Sequence, residues 1–195
     1  MVVDLGCGAK PFGDVIRTTA DHYIGIDWSN SMHGLHADIV ANLNGPLPMH
    51  DEVADMVVSF EVLEHLPEPG IMLAESFRIL KPGGRLVLSV PFQWWVHEAP
   101  WDYYRYTRYG LEYLLRKAGF TSITVEATSG FWSMWILKLN YRLLRLVRGS
   151  SVRRQLNRVI LVPMWWLGQR LALIMDRHRT DERETVGYIV TAARP

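Results

Sequence analysis

The sequence predicts an α/β chain: a doubly wound, mostly parallel seven-stranded sheet with a helical insertion before the last strand. Three observations predict it. Short apolar runs with an acid at or next to their end recur early, at Val2–Leu5 and Tyr23–Asp27, and a longer β-branched run follows at Ala54–Phe60. Continuous runs of this kind mark strands buried on both faces. Helical periodicity and breaker residues then alternate with further strand-like runs up to Glu126, and a basic, tryptophan-rich stretch separates the sixth run from the seventh.

The first strand, residues 2–5, passes through Asp4 and drops into a turn with Gly6 and Gly8. Glycine lets the backbone bend sharply there and bring its N–H groups against a ligand. The link to the second strand is short, with a brief helix near residues 13–19. The second strand, 23–27, ends at Asp27, and an acid at that tip is placed to accept hydrogen bonds from ribose hydroxyls. Ser29 fits an N-cap for a turn toward Leu35. A third extended piece at 36–41 carries Asp38, and Asn44-Gly45-Pro46-Leu47-Pro48 reads as loop. Too few residues join the third and fourth strands for a full crossover helix, so a loop or single turn is expected. After the fourth strand, 54–60, a helix over 71–80 places Leu73, Phe77 and Leu80 on one face. Lys81-Pro82-Gly83-Gly84 should end it, with the fifth strand at 85–90. An aromatic loop fills 92–106. Thr107 caps a helix to Lys117 closed by Gly119, and the sixth and seventh strands are 120–126 and 187–193.

The whole reads as one domain, 1–195, with residues 130–185 as the insertion. A single cysteine excludes an internal disulfide and a thiolate metal cluster, so a reducing, cytoplasmic setting is the expectation. The chain enters its first strand at Val2 without a basic leader, so no signal peptide is expected. Net charge is +1, unevenly spread. Residues 1–130 hold nine Lys and Arg against sixteen Asp and Glu, whereas residues 131–179 hold ten against Asp176 alone.

The glycine turn fits two cofactor classes. A dinucleotide loop wants a third glycine where this chain has Pro11, so that reading is the weaker. Four stretches in order, Asp4-Leu5-Gly6-Cys7-Gly8, Gly25-Ile26-Asp27, Ser59-Phe60-Glu61-Val62-Leu63-Glu64-His65-Leu66 and Arg78-Ile79-Leu80-Lys81-Pro82-Gly83-Gly84-Arg85-Leu86, resemble the class I S-adenosylmethionine-dependent methyltransferases that act on small molecules. The resemblance spans roughly residues 2–127 and resumes at 187–193. It implies the Rossmann-like methyltransferase fold and S-adenosyl-L-methionine as cofactor. It also implies that Gly6, Cys7 and Gly8 pass under the methionine part and that Asp4 lies near its ammonium. Asp27 would hold the ribose, Asp38 and Ile39 the adenine edge, and Phe60 and Glu61 the sulfonium side. A cationic sulfonium and ammonium call for carboxylates and aromatic faces, which agrees with that layout.

Methyl transfer needs alignment above all, and a general base only for an acceptor such as a hydroxyl. His65 and His97 are the candidate bases, since imidazole titrates near neutrality. In the aromatic loop, Trp94, Asp102, Tyr103, Tyr104 and Arg105 are candidates for contact with a small-molecule, sugar-like or lipid-linked acceptor. No metal site is expected: His33 and His36 lack a clear third ligand.

In the insertion, Trp132, Trp135, Ile136, Leu139, Leu143 and Leu146 recur at helical spacing, with Lys138, Arg142, Arg145 and Arg148 along another side. That pattern is a basic amphipathic helix. A second apolar stretch, 159–167, is separated by Gln169 and Arg170 from 171–175, too short a piece to span a bilayer. Residues 131–179 thus read as a peripheral anchor at the inner face of the membrane, or as a lid or homodimer surface. Nucleic acid is the least favoured partner, because the apolar faces are extensive and the body is acidic. The alternative to an enzyme is an inactive methyltransferase-like binding or membrane-scaffold module.

Overall fold

The computed structural model describes residues 1–29, 34, 36–178 and 183–195, with Arg153 and His178 described as backbone only. The turn expected from Ser29 toward Leu35 falls mostly outside these residues, as does His33. The chain forms two compact units, one of residues 1–126 and 188–195, the other of residues 127–187.

In chain order the elements are β1 (Val2–Leu5), α1 (Gly13–Arg17), β2 (Tyr23–Asp27), β3 (Ile39–Val40), β4 (Ala54–Phe60), α2 (Pro69–Ile79), β5 (Leu80–Pro91), α3 (Arg108–Lys117), β6 (Thr121–Ala127), α4 (Phe131–Leu143), α5 (Val152–His178) and β7 (Gly187–Ala193). The strands form one sheet in the order β3-β2-β1-β4-β5-β7-β6. β1 pairs in parallel with β2 on one side (Val3 with Ile24) and with β4 on the other (Val3 with Val57), and β3 and β5 continue the parallel run outward. β7 runs against its neighbours: just past its end, Arg194 O accepts from Gly83 N at 2.9 Å and Arg194 N donates to Gly84 O at 3.0 Å, both near the start of β5. The strand order reverses between β1 and β4, and ligands of open α/β sheets bind outside the carboxyl ends of strands at such a switch point.

The sheet is built from the predicted runs. Val3, Leu5, Ile26, Val57, Leu86 and Leu88 are fully or almost fully buried. Thr107 caps α3 by accepting from Gly110 N at 3.1 Å, and Gly119 takes a φ of +101°, the left-handed conformation that suits glycine.

The breaker tetrad Lys81–Gly84 behaves differently from expectation. It does not separate helix from strand: α2 ends at Ile79 and β5 already starts at Leu80. Leu80 pairs with Ala54 and Arg85 with Met56, so the tetrad bulges out of a continuous strand, with Gly83 at φ +79°. The last carbonyls of α2 are satisfied from elsewhere in the sequence. Arg194 Nη1 donates to Phe77 O and Arg78 O, both at 3.1 Å, and to Leu80 O. The β3–β4 connection has no helix, as expected. Arg78 pins it, donating to Met49 O (2.8 Å), Leu47 O (3.1 Å) and Asp51, while Glu75 accepts from Leu47 N at 2.6 Å.

In the second unit, α4 is followed by a 3-10 turn, Leu144–Leu146, and then by α5. Asp176 accepts from Trp132 N and Ser133 N at 3.0 and 2.9 Å, and so caps α4 from the far end of α5. The two apolar stretches expected to be separate are one 27-residue helix running through Pro163. Gln169 and Arg170 are good helix formers and do not interrupt it. Residues 154–177 are long and apolar enough to cross a membrane by length and composition. Along α5, Leu156, Ile160, Met164, Trp166, Leu167 and Leu171 are between 54 and 64 % exposed. In α4, Trp132, Trp135 and Leu139 from the predicted apolar stripe are exposed as well, and Ser133 and Met134 are the buried positions.

Candidate active site

The turn after β1 is shaped by its backbone. Gly6 N and Cys7 N both donate to Ile26 O, at 2.8 and 3.1 Å, and Gly6 (φ +76°) and Gly8 (φ +49°) are left-handed. A Cβ at Gly6 would sit 2.3 Å from a Val62 methyl, so no other residue fits between this turn and the segment after β4. Asp27, at the tip of β2, accepts from Gly8 N at 2.8 Å and from Trp28 N at 2.7 Å. Its carboxylate is therefore held in one orientation, with lone pairs left for a ligand.

A cavity of about 610 Å³ opens over these groups. Gly6, Cys7, Gly8 and Asp27 line one side, Asn42, Leu43 and Asn44 a second, and Phe60 and Glu61 at the end of β4 a third. His65, His97, Glu98, Trp101 and Tyr103 close the remaining side, where Trp28 meets Trp101 edge-on at 5.3 Å. Burial pushes the Cys7 thiol up to about 12, so it stays protonated and serves as a small filler beneath the turn.

Other predicted positions lie outside the lining. Asp4 is buried under the turn and accepts from the Tyr23 hydroxyl at 2.6 Å; burial raises its carboxyl above the ordinary range. Asp38 turns away, accepting from Gly25 N and Lys10 Nζ, both at 2.7 Å. The Gly25 N–H and the Lys10 ammonium hold its carboxyl low. Ile39 is likewise absent from the lining, and the carboxyl end of β3 reaches the cavity with Asn42 and Leu43 instead. β3 is only two residues long, and the lining residues Asn42 and Leu43 come four positions after Asp38 and Ile39.

The aromatic loop divides into wall and scaffold. Tyr103 lines the cavity. Asp102 and Arg105 hold each other in a two-pronged pair at 2.6 and 2.8 Å, and the Asp102 side chain is 1 % exposed. Arg105 also donates to Trp95 O (2.8 Å), Tyr104 O (2.7 Å) and Trp94 O (3.3 Å), so it ties the loop to itself. The guanidinium holds the Asp102 carboxyl down to about 2. Trp94 stacks on Trp95 at 4.0 Å, and the Tyr104 hydroxyl donates to Pro67 O at 3.0 Å. These four candidates shape the loop rather than line the cavity.

The 3-10 turn Leu63–His65 carries a group the sequence reading left out. Glu64 is fully buried, and neither of its carboxylate oxygens has a hydrogen-bond partner among the described residues. Burial pushes it up to about 8. His65 Nε2 is 3.6 Å and His97 Nε2 4.0 Å from Glu64 Oε1, and the two rings meet edge-on at 4.9 Å. The signal was in the sequence: Glu64 and His65 are adjacent in the segment after β4. What the sequence could not show is that the folded loop brings His97 alongside them. Trp28, Asn42 and Trp101 escaped the sequence reading because aromatic and amide residues in loops have no periodicity to mark them.

The family described as a methyltransferase domain matches residues 1–158. The chain is 33 % identical over 96 residues to a probable S-adenosylmethionine-dependent methyltransferase of Mycolicibacterium smegmatis, covering 46 % of this chain and 37 % of that protein. It is 28 % identical over 99 residues to a ubiquinone biosynthesis O-methyltransferase of Hahella chejuensis, covering 45 % of this chain and 42 % of that one. The matches span about two fifths of these curated relatives. Among solved structures, Haemonchus contortus phosphoethanolamine N-methyltransferase 2 in complex with S-adenosyl-L-methionine superposes on 98 % of this chain and 47 % of its own, with a TM-score of 0.61 at 19 % identity. With the glycine turn, the acid at the tip of β2 and the cavity between β1 and β4 already in place, these matches identify the chain as a member of the class I S-adenosylmethionine-dependent methyltransferases.

Proposed function

We propose that the chain transfers the cofactor's methyl group to a small, lipid-linked acceptor presented at a membrane surface. One observation carries the cofactor half of this reading. Asp27 is fixed by Gly8 N and Trp28 N in the wall of a cavity at the switch point of the sheet. In this reading Asp27 receives the ribose hydroxyls, and Asn42 and Leu43 the adenine edge. The turn Gly6-Cys7-Gly8 passes under the methionine part, with the Asp4 charge beneath it. Phe60 and Glu61 flank the sulfonium, which supplies an already activated methyl. The protein's own contribution is to hold the acceptor in line with it and to exclude water. Tyr103 and Trp101, with His65 and His97, form the acceptor end of the cavity. An inactive scaffold module is the less favoured reading, since the cavity keeps its carboxylates.

The acceptor half rests on α5. A 27-residue helix, about 40 Å long, that leaves Trp166 and Leu167 exposed and carries Arg158 and Arg170 has the composition of a helix lying in the bilayer interface. The ten cations of residues 131–179 suit the anionic inner leaflet. We read residues 130–185 accordingly as an insertion in a single methyltransferase domain, peripheral to the cytoplasmic face.

Calorimetric titration of the full chain with S-adenosylmethionine and S-adenosylhomocysteine tests the first half, with micromolar binding expected for both. Co-sedimentation with phosphatidylglycerol vesicles tests the second. Binding should fall at least tenfold in Trp166→Ala with Leu167→Ala, and fall again in high salt. A chain that ignores the vesicles and sediments as a dimer would assign the apolar face of α5 to a second copy instead.

A further inference from the structure

We propose that Glu64, His65 and His97 form a binding site for a divalent first-row metal cation beside the cofactor cavity. The starting point is Glu64. A carboxylate with no exposure and no hydrogen-bond partner among the described residues is costly to keep in a protein, and such groups are normally paired or bound to metal. At 3.6 and 4.0 Å the two imidazoles are too far for hydrogen bonds to it, yet both point a nitrogen at the same oxygen. One ligand atom from each residue lies within 4.8 Å of the others. A cation bonded to nitrogen and oxygen at about 2.0–2.2 Å separates neighbouring ligand atoms by roughly 3–4 Å. The gaps around Glu64 Oε1 are of that size.

The far sides of the two rings support the same assignment. Metal-bound imidazoles use their second nitrogen to bond a carbonyl or carboxylate, which fixes the ring and leaves the first nitrogen free for the metal. His65 Nδ1 lies 2.7 Å from Trp101 O. His97 Nδ1 lies 3.3 Å from Asp102 Oδ2. Asp102 is itself locked by Arg105 and by the backbone N–H of His97 at 2.8 Å. The pair that ties the aromatic loop together thus also orients one ligand, which gives Asp102 and Arg105 a positioning role. Glu98 Oε2, 3.9 Å from His65 Nε2, stands at the edge as a fourth donor. Two imidazoles with one or two carboxylates form a donor set for Mn²⁺, Fe²⁺ or Zn²⁺.

His65 and His97 both line the cavity, so a cation held by them would lie beside its acceptor end. If the chain is the methyltransferase described above, on which this step alone rests, a cation there suits an acceptor that reacts through a hydroxyl oxygen. Coordination lowers the hydroxyl's pKa, and its proton leaves to solvent. The oxygen then forms a bond to the methyl carbon as the carbon–sulfur bond breaks, its electron pair staying on sulfur. One proton is released per methyl transferred.

The test is direct metal binding by the untagged full chain, stripped with chelator and titrated calorimetrically with Mn²⁺ and with Zn²⁺. One equivalent should bind at micromolar or tighter affinity. His97→Asn and Glu64→Gln should each weaken it at least 100-fold, while His50→Asn, on an exposed loop residue, should leave it unchanged. Circular dichroism on each variant confirms that it is folded, and His97→Asn, in a loop, is the variant least able to disturb the sheet. No saturable binding by the folded wild type, or binding that survives His97→Asn, overturns the proposal. A parallel titration with S-adenosylmethionine keeps the two readings apart. Cofactor binding without metal binding sinks the site and spares the methyltransferase reading, and the reverse result does the opposite.

Discussion

The two units of the chain spend their apolar residues in opposite ways. In residues 1–126 and 188–195, leucine, isoleucine and valine sit inside a sheet, and Asp27, Glu61 and Glu98 line one cavity at its carboxyl edge. In residues 127–187, two helices pack against each other, yet most of the large apolar side chains of the longer one remain exposed. A side chain already buried contributes to folding; one left exposed contributes only when something else covers it. The difference separates a folding core from an uncovered apolar face, and single substitutions should tell them apart.

The largest effect should come from truncating the same residue type in both settings. Leu86→Ala empties a fully buried position in β5 and should cost about 2–5 kcal/mol of unfolding free energy in denaturant titration. Leu167→Ala, at an exposed position of α5, should change it by no more than about 0.5 kcal/mol. Comparable losses at both sites would mean that α5 is covered in the protein alone.

Next is Asp27→Ala. Loss of hydrogen bonds from a fixed carboxylate to two hydroxyls should weaken S-adenosylmethionine binding about 100-fold or more, given roughly 1.5–3 kcal/mol per charged bond. The Trp166→Ala and Leu167→Ala pair should leave that affinity unchanged. Full cofactor affinity in Asp27→Ala would remove the acid at the tip of β2 from the site.

The contrast also explains what could be read in advance. The strands were legible because their short runs are rich in apolar and β-branched residues, and Val2–Leu5, Tyr23–Asp27, Ala54–Phe60 and Gly187–Ala193 were placed to the residue. The position of Asp27 in the cavity wall was legible because an acid closes an apolar run at a strand end. That Asp38 lies outside the cavity lining was not legible, because a two-residue strand leaves no periodicity to locate its end and the pairing with Lys10 forms only in the fold. The Lys81–Gly84 tetrad was read as a break because local propensity hides what Arg194, more than a hundred residues on, does for the end of α2. The continuity of α5 was obscured because Pro163, Gln169 and Arg170 interrupt an apolar run without interrupting a helix. Glu64, His65 and His97 escaped as a cluster because a loop supplies the third member.

Within the second unit, Asp176→Ala removes the acceptor for Trp132 N and Ser133 N and should destabilise α4 by about 1 kcal/mol. Increased amide exchange at residues 131–134, with no change in the cofactor affinity of the sheet unit, is the expected signature. A fall in cofactor affinity would show that the two units are energetically coupled.

The smallest effect concerns acid, and its sign differs between two carboxylates of the sheet unit. The Arg78 guanidinium, and then the Leu47 N–H, hold the Glu75 carboxyl below its ordinary value of 4.5 against the opposing effect of burial. A depressed pKa gives stability that is present above about pH 4.5 and lost as pH falls through the folded value. Glu75→Gln should therefore cost about 1 kcal/mol at pH 7, read as roughly 2–4 °C in Tm, and progressively less below pH 4.5. Asp4 is the reverse case. Burial raises its carboxyl above 3.8, so its contribution is full below that pH and declines as pH rises through the folded value. Asp4→Asn should then stabilise the cofactor-free chain at neutral pH while the Tyr23 hydroxyl keeps an acceptor. If both variants shift the pH profile in the same direction, Asp4 is held by a cation rather than strained by burial, and the space beneath the glycine turn would have to be assigned to Lys10.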